Sequence, residues 1–150
     1  MPSTSFVIVT ASKACDCFDY LRDYSNVQYW DHITRSVEKV DDDLWRATFF
    51  KWNSTMNFTR EETVDEGDEA PMKVTFRGTN ERGNVRTVET YEIRDTGSGS
   101  VVVYSMRIGL SGWRRLLCFS TAVWVQLIAE SSRSFQALKK QLDELSVETV

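Results

Sequence analysis

A single histidine, His32, stands in 150 residues, and that scarcity excludes much chemistry at once. A Ser–His–Asp or Cys–His nucleophile system needs a histidine beside its serine or thiol. A metal centre needs several converging His, Cys, Asp or Glu ligands. One histidine and scattered cysteines serve neither, so no metal and no cofactor is expected, and His32 reads as an exposed or rim residue in a loop. Glycine patterns of the Walker or Gly-x-Gly-x-x-Gly kind are missing, which removes support for nucleotide phosphate binding. Basic excess is missing too: 18 Lys and Arg face 22 Asp and Glu, a net charge of −4. A general nucleic-acid binder needs a basic face to displace counterions, so no nucleic-acid partner is expected. The acidic runs Asp41–Asp43 and Glu61–Glu69 read as solvated loops.

Long hydrophobic runs are also lacking. Leu116–Ala129, interrupted by Ser120, Thr121 and Gln126, would span about 21 Å as a helix. The hydrocarbon core of a bilayer is ~30 Å thick, so this segment reads as a buried helix. Met1–Ser5 shows neither a basic n-region nor an apolar h-region. The cysteines form an odd set. Cys15 and Cys17 point to different faces of a helix, and Cys118 stands alone in an apolar stretch. Reduced structural thiols in a cytoplasmic protein are the expectation.

What is present is a patterned chain with 41% hydrophobic and 12% aromatic residues, read as one domain over 1–150. Ser5–Thr10 has strand propensity. Ser12 offers an N-cap, and Ala14, Phe18 and Leu21 give the stripe of a helix lying on a core. Asp23–Asn26 breaks that helix, and a second short helix or turn runs to about Trp30. Six strand-like segments follow, near Val37–Val40, Leu44–Lys51, Thr55–Val64, Met72–Thr79, Val85–Arg94 and Ser100–Ile108. Their connectors carry turn chemistry, including Asn80–Gly83 and Thr96–Gly99. A long helical pattern, Trp113 to about Leu145, closes the chain. Successive strands ending in a helix indicate an α+β fold with a curved antiparallel sheet. A long helix laid across such a sheet leaves a space between them.

The period of two in strands sorts the side chains that face this space. Met56, Phe58 and Arg60 share a face, as do Met72, Val74 and Phe76. Val85, Thr87, Glu89, Tyr91 and Ile93 form another set, and Val102, Tyr104, Met106 and Ile108 a fourth. Glu89 and Arg60 are thus polar intruders in inward-facing apolar series. The helix stripe runs Leu117, Thr121, Trp124, Ile128, Ser131, Phe135, Leu138, Leu142 and Leu145. Before Glu130 the helix is apolar nearly all round, and that half calls for a second partner.

These features together resemble the SRPBCC superfamily, which includes START domains and the polyketide cyclase/dehydrase and lipid-transport group. The opening is similar: a strand, a helix containing Cys17-Phe18-Asp19-Tyr20-Leu21, the acid Asp23, then Asn26, Trp30 and Asp31. His32 replaces the proline usual after Trp-Asp. The stretch Val85–Ile93 resembles that group's acid-Thr-Tyr strand, and Gly97-Ser98-Gly99, a last strand and the long helix follow. The likeness covers about residues 6–145. It implies a helix-grip fold, seven strands gripping the C-terminal helix with two short N-terminal helices, and a cavity for an apolar ligand.

The expected function is binding of a hydrophobic or amphipathic small molecule, such as a lipid or polyketide. Met56, Phe58, Met72, Phe76, Tyr91, Tyr104, Met106, Trp124 and Ile128 would line the cavity, with Glu89 and Arg60 as its polar anchors. The alternative is a polyketide cyclase or dehydratase using a cavity carboxylate as acid and base. There Glu89 and Arg60 would be catalytic; the plainer readings are a structural ion pair, or a register in which one of them faces water. A third reading is an interaction module, with Leu116–Ile128 as a dimer or partner surface, the expected state being a monomer or a homodimer. Trp113, Arg114 and Arg115 would give transient membrane contact, or else be a packed tryptophan and two solvated arginines.

Overall fold

The computed structural model describes residues 3–50, 54–64, 71–111 and 121–148, the side chains of 64, 121–129 and 148 excepted. Among the described residues the strands are β1 (Ser3–Thr10), β2 (Thr34–Asp41), β3 (Leu44–Phe49), β4 (Thr55–Val64), β5 (Met72–Asn80), β6 (Val85–Asp95) and β7 (Ser100–Leu110). Helix α1 (Ala14–Leu21) and a 3₁₀ helix (Tyr24–Tyr29) join β1 to β2, and α2 (Thr121–Glu148) follows β7. All seven strands pair antiparallel in the order β1-β7-β6-β5-β4-β3-β2. The last six are a meander, and β1 closes against β7, so the two edge strands are the ones joined by the N-terminal helices. This is the helix-grip α+β architecture.

Turn chemistry sets the meander. Gly83 and Gly97 take φ of 67° and 83° at the β5–β6 and β6–β7 turns, a region that costs any residue with a Cβ. The Gly97 N–H donates to Asp95 Oδ1 at 2.7 Å, holding the second turn closed.

Direct antiparallel partners share a face, and the register builds the concave side in rows. One row is Phe6, Tyr104, Tyr91 and Val74; the next is Thr4, Met106, Glu89, Phe76 and Arg60; the third is Ile108, Thr87, Gly78, Phe58 and Trp45. The period-two grouping therefore holds, Arg60 and Glu89 included. Helix α2 packs Phe135, Leu138 and Leu142 inward, and Phe135 stacks on Phe6 with centroids 4.1 Å apart. Burying a leucine such as Leu138 or Leu142 contributes about 2 kcal/mol each.

Several expectations change. Ser12 does not cap α1: the N-cap position is Lys13, with no side-chain cap. The Ser12 hydroxyl donates instead to the Leu142 carbonyl on α2, and Thr10 Oγ1 donates to Asp143 Oδ1 at 2.7 Å. Long-range docking of α2 thus overrides a local capping preference. The second helix is 3₁₀, capped by Asp23, whose Oδ1 accepts the Ser25 N–H at 3.0 Å. β1 and β2 begin earlier than read, at Ser3 and Thr34, because ladder pairing with β7 and β3 extends the strands into polar residues. Cys15 is exposed and Cys17 buried, both free. Among the described residues no helix is long and apolar enough to cross a membrane. Trp113, Arg114, Arg115 and Cys118 lie outside the described residues, as do the side chains of Trp124 and Ile128.

Candidate functional site

Burial along β6 and β7 changes abruptly at one level of the sheet. Towards one end the inward side chains are closed off: Ile93 and Tyr91 are 1% exposed, Val102 0% and Tyr104 4%. Beyond them Glu89, Thr87 and Val85 on β6, and Met106 and Ile108 on β7, still face inward but are only partly buried. The packed half is filled by rings: Phe135 contacts Tyr104 at 4.7 Å and Trp30 at 5.9 Å. Glu89 sits on the boundary between the packed half and the open one.

Two tyrosines from different elements hold its carboxyl. Tyr104, on β7, donates to Glu89 Oε1 at 2.7 Å. Tyr24, the first residue of the 3₁₀ helix, donates to Oε2 at 2.9 Å. The Tyr24 ring stacks on Phe58 at 4.3 Å and meets the edge of Phe76 at 4.8 Å, so packing aims its hydroxyl. Burial pushes the Glu89 pKa up to about 7, against the lowering effect of the Tyr104 and Tyr24 hydroxyls and with a further rise from the charge of Asp31. Burial, then the nearby Glu89, pushes Tyr24, Tyr91 and Tyr104 well above the ordinary phenol range. All three keep their protons, and Tyr24 and Tyr104 act as neutral donors.

Asp31 is the second inward carboxyl. Its Oδ2 accepts Thr34 Oγ1 at 2.6 Å and its Oδ1 accepts Ser134 Oγ from α2 at 3.0 Å. Burial raises its pKa, opposed by those hydroxyls, the Ile33 N–H and His32. His32 is exposed, as expected, but its backbone matters: its N–H donates to Ser134 Oγ at 3.0 Å. A proline there would have no such donor.

Arg60 shares the row of Glu89 but is engaged elsewhere. Its Nη2 contacts Asp43 Oδ1 at 2.6 Å, its Nε lies 3.2 Å from Glu62 Oε1, and its Nη1 donates to the Arg22 carbonyl at 3.0 Å. The guanidinium lies 5.2 Å from the centre of the Trp45 ring. The structural ion pair open to Arg60 is therefore made with acids at the β3–β4 side, and the cluster around Glu89 is Tyr24, Tyr104 and Asp31 instead. Of the expected lining, Met56, Phe58, Phe76, Tyr91 and Tyr104 are buried inward and Met72 and Met106 partly so. Tyr24 gave no signal in sequence, being a tyrosine in a turn-like stretch; Asp31 did, as the acid of the Trp-Asp ending. Gly78 is required here, since a Cβ on it would collide with the Phe58 ring and Thr87 Oγ1. That Thr87 oxygen is itself buried with no hydrogen-bond partner among the described residues.

A seven-stranded sheet around a terminal helix, with polar groups set in an aromatic concave face, defines the class of helix-grip domains. A family model described as polyketide cyclase / dehydrase and lipid transport matches residues 1–143, and the chain belongs to that family within the SRPBCC superfamily. The structure is similar to a START superfamily protein from Mycobacterium smegmatis, with a TM-score of 0.66 at 10% identity over 95% of this chain and 98% of that one. A protein from Thermus thermophilus aligns with a TM-score of 0.65 at 15% identity, over 99% of both chains. A hypothetical protein from Helicobacter pylori gives 0.66 at 14% identity over 93% of this chain and 86% of that one. These identities show the fold alone. Among curated proteins no sequence relative matches.

Proposed function

We propose that the chain, acting as one domain, binds an apolar or amphipathic small molecule, of the lipid or polyketide kind, on the open half of the concave face. The observation that carries this reading is Glu89: a carboxyl held by two tyrosine hydroxyls, at the level where inward side chains pass from buried to partly exposed. A few polar groups on an aromatic, apolar wall are what such sites use to orient a ligand. Family membership supports hydrophobic ligand binding in general. Met106, Thr87 and Phe58 would contact the apolar body. Arg60 would brace the β3–β4 side through its acid partners.

A second reading has one specific observation behind it. A carboxyl with a pKa near 7 can hold and release a proton at neutral pH, as a cyclase or dehydratase would require. Glu89→Gln separates the two: an enzyme loses turnover with binding largely kept, and a carrier changes affinity alone.

Native mass spectrometry of the purified protein, followed by denaturing extraction, tests the binding reading. A discrete co-purifying lipid or aromatic metabolite, displaced by a Thr87→Trp substitution that fills the open half, is the expected result. A clean apo mass with no uptake from lipid and polyketide panels would overturn it.

A further inference from the structure

The hydrogen-bond inventory around Glu89 is one-sided, and this deepens the binding reading on which it rests. Tyr24 and Tyr104 each own one proton, and both protons are spent on the Glu89 carboxylate. What the three groups have left is lone pairs: two phenol oxygens and the unused acceptor sites of a carboxylate that takes about four bonds. Asp31, whose charge reaches Glu89, likewise only accepts, from Thr34 and Ser134. No cation acts on Glu89 among the described residues, for Arg60 is committed to Asp43, Glu62 and the Arg22 carbonyl. The hydroxyls of Thr87 and Tyr91 can donate or accept and impose no preference. Thr87 Oγ1, on the same face of β6 as Glu89, is a buried oxygen without a partner among the described residues, packed beside Gly78. The other orphan, the donor Trp45 Nε1, is on β3, three strands from β6.

We infer that the site selects ligands by a hydrogen-bond-donating head without negative charge, an amine or alcohol on an apolar body, and excludes carboxylates. An amine head gains charge-assisted bonds to the carboxylate. An alcohol head gains one donor bond. A carboxylate head would bring a second anion to a partly desolvated one that has no counter-charge among the described residues, which is costly.

Decylamine, decanol and decanoate share one apolar chain and differ only in the head. Their binding to the intact protein is measured by isothermal titration at about pH 8, where Glu89 is ionised. Decylamine and decanol should bind at least roughly tenfold more tightly than decanoate. Glu89→Gln, checked for folding by its melting curve, places an amide N–H donor at the same point and should narrow that gap. Where that variant does not fold, Tyr104→Phe, measured at about pH 9 so that Glu89 stays ionised without the Tyr104 bond, frees one more Glu89 acceptor and should widen the preference for the amine. Decanoate binding as tightly as decylamine would overturn the inference while leaving the pocket in place. A preference unmoved by both substitutions would overturn the assignment to Glu89. Failure of all three to bind would overturn the binding reading and this inference with it.

Discussion

Tyr104 donates its hydroxyl to Glu89 across the β6–β7 pair at 2.7 Å, and the two residues are diagonal neighbours: Glu89 is in register with Met106 and Tyr104 with Tyr91. The diagonal reach lets a tyrosine of the packed half hold a carboxyl at the edge of the open half. Tyr24 completes the grip from the opposite side at 2.9 Å. The carboxyl is thereby fixed in position while its protonation remains free to change, because neither donor is charged.

That grip ties stability to pH. The Glu89 pKa rises from 4.5 to about 7 in the folded chain, mainly through burial, so folding takes up a proton between those values. The associated stabilisation is complete below about pH 4.5 and is lost as pH rises through about 7. Asp31, also raised by burial, has the same sign. Tyr24, Tyr91 and Tyr104 stay protonated throughout. Glu89→Gln removes the titration. Between pH 4.5 and 7 the stability difference should shift in favour of the variant by about 2 kcal/mol, a figure reduced for the partial exposure of Glu89. Urea denaturation across that range measures it, and parallel curves for the two proteins would refute it.

Two glycines should differ in what a methyl group costs. At Gly78 a new Cβ meets the Phe58 ring, with Cδ1 at 2.8 Å, and the Thr87 hydroxyl. Side chains can shift, so Gly78→Ala should cost about 1–3 kcal/mol. At Gly99 the obstacles are the Thr10 carbonyl oxygen and, at 2.8 Å, the Ala11 Cα, which are backbone and cannot turn aside. Gly99→Ala should therefore be the more destabilising of the two. Chemical denaturation of both variants checks the order, and only Gly78→Ala should also alter ligand affinity, through Thr87.

The legible part of this protein was what repeats. Alternation over β4–β7 placed Phe58, Phe76, Tyr91, Tyr104 and Glu89 on one face, since a strand's period is fixed by its backbone. The stripe of α2 was legible at Phe135, Leu138 and Leu142 for the same reason. Illegible were contacts between residues far apart in sequence. Ser12 reads locally as a cap but is 130 residues from the Leu142 carbonyl it bonds. Tyr24 carries no periodic signal, and nothing local tells that it reaches Glu89, 65 residues on. Arg60 and Glu89 read as a pair because each is a polar intruder in an inward-facing apolar series; the preference of a guanidinium for the nearer Asp43 and Glu62 was not available from alternation.

The attachment of α2 near Asp31 should be sensitive to a single hydroxyl. Ser134 Oγ donates to Asp31 Oδ1 and accepts the His32 N–H, both at 3.0 Å. Ser134→Ala removes both bonds and leaves a largely desolvated carboxyl with one fewer donor, a loss of about 1–3 kcal/mol. His32→Pro removes the N–H, and also fixes φ at 32 and restricts Asp31, so it should cost at least about 1 kcal/mol. In a double-mutant cycle the two should be non-additive, since they share a bond. Hydrogen exchange should rise in the second half of α2 in Ser134→Ala, and additive effects would show that the shared oxygen is not the link.

Arg60 and Glu89 should separate cleanly when each is replaced. The Arg60 side chain is 16% exposed and Asp43 65%, so this pair is screened and contributes little, about 1 kcal/mol or less. The guanidinium also lies over Trp45 and donates to the Arg22 carbonyl, and a methionine would keep the stem while losing both. Arg60→Met should lower stability by about 1–2 kcal/mol, with its salt-sensitive part confined to the exposed ion pair. Ligand affinity should be unchanged, because the groups on Glu89 are Tyr24, Tyr104 and Asp31. Glu89→Gln should do the reverse, changing ligand affinity at about pH 8, where the carboxylate is ionised, with little effect on stability at low pH. If Arg60→Met instead weakens ligand binding as much as Glu89→Gln does, in a protein that melts normally, then the guanidinium reaches the ligand and its acid partners are not its main role.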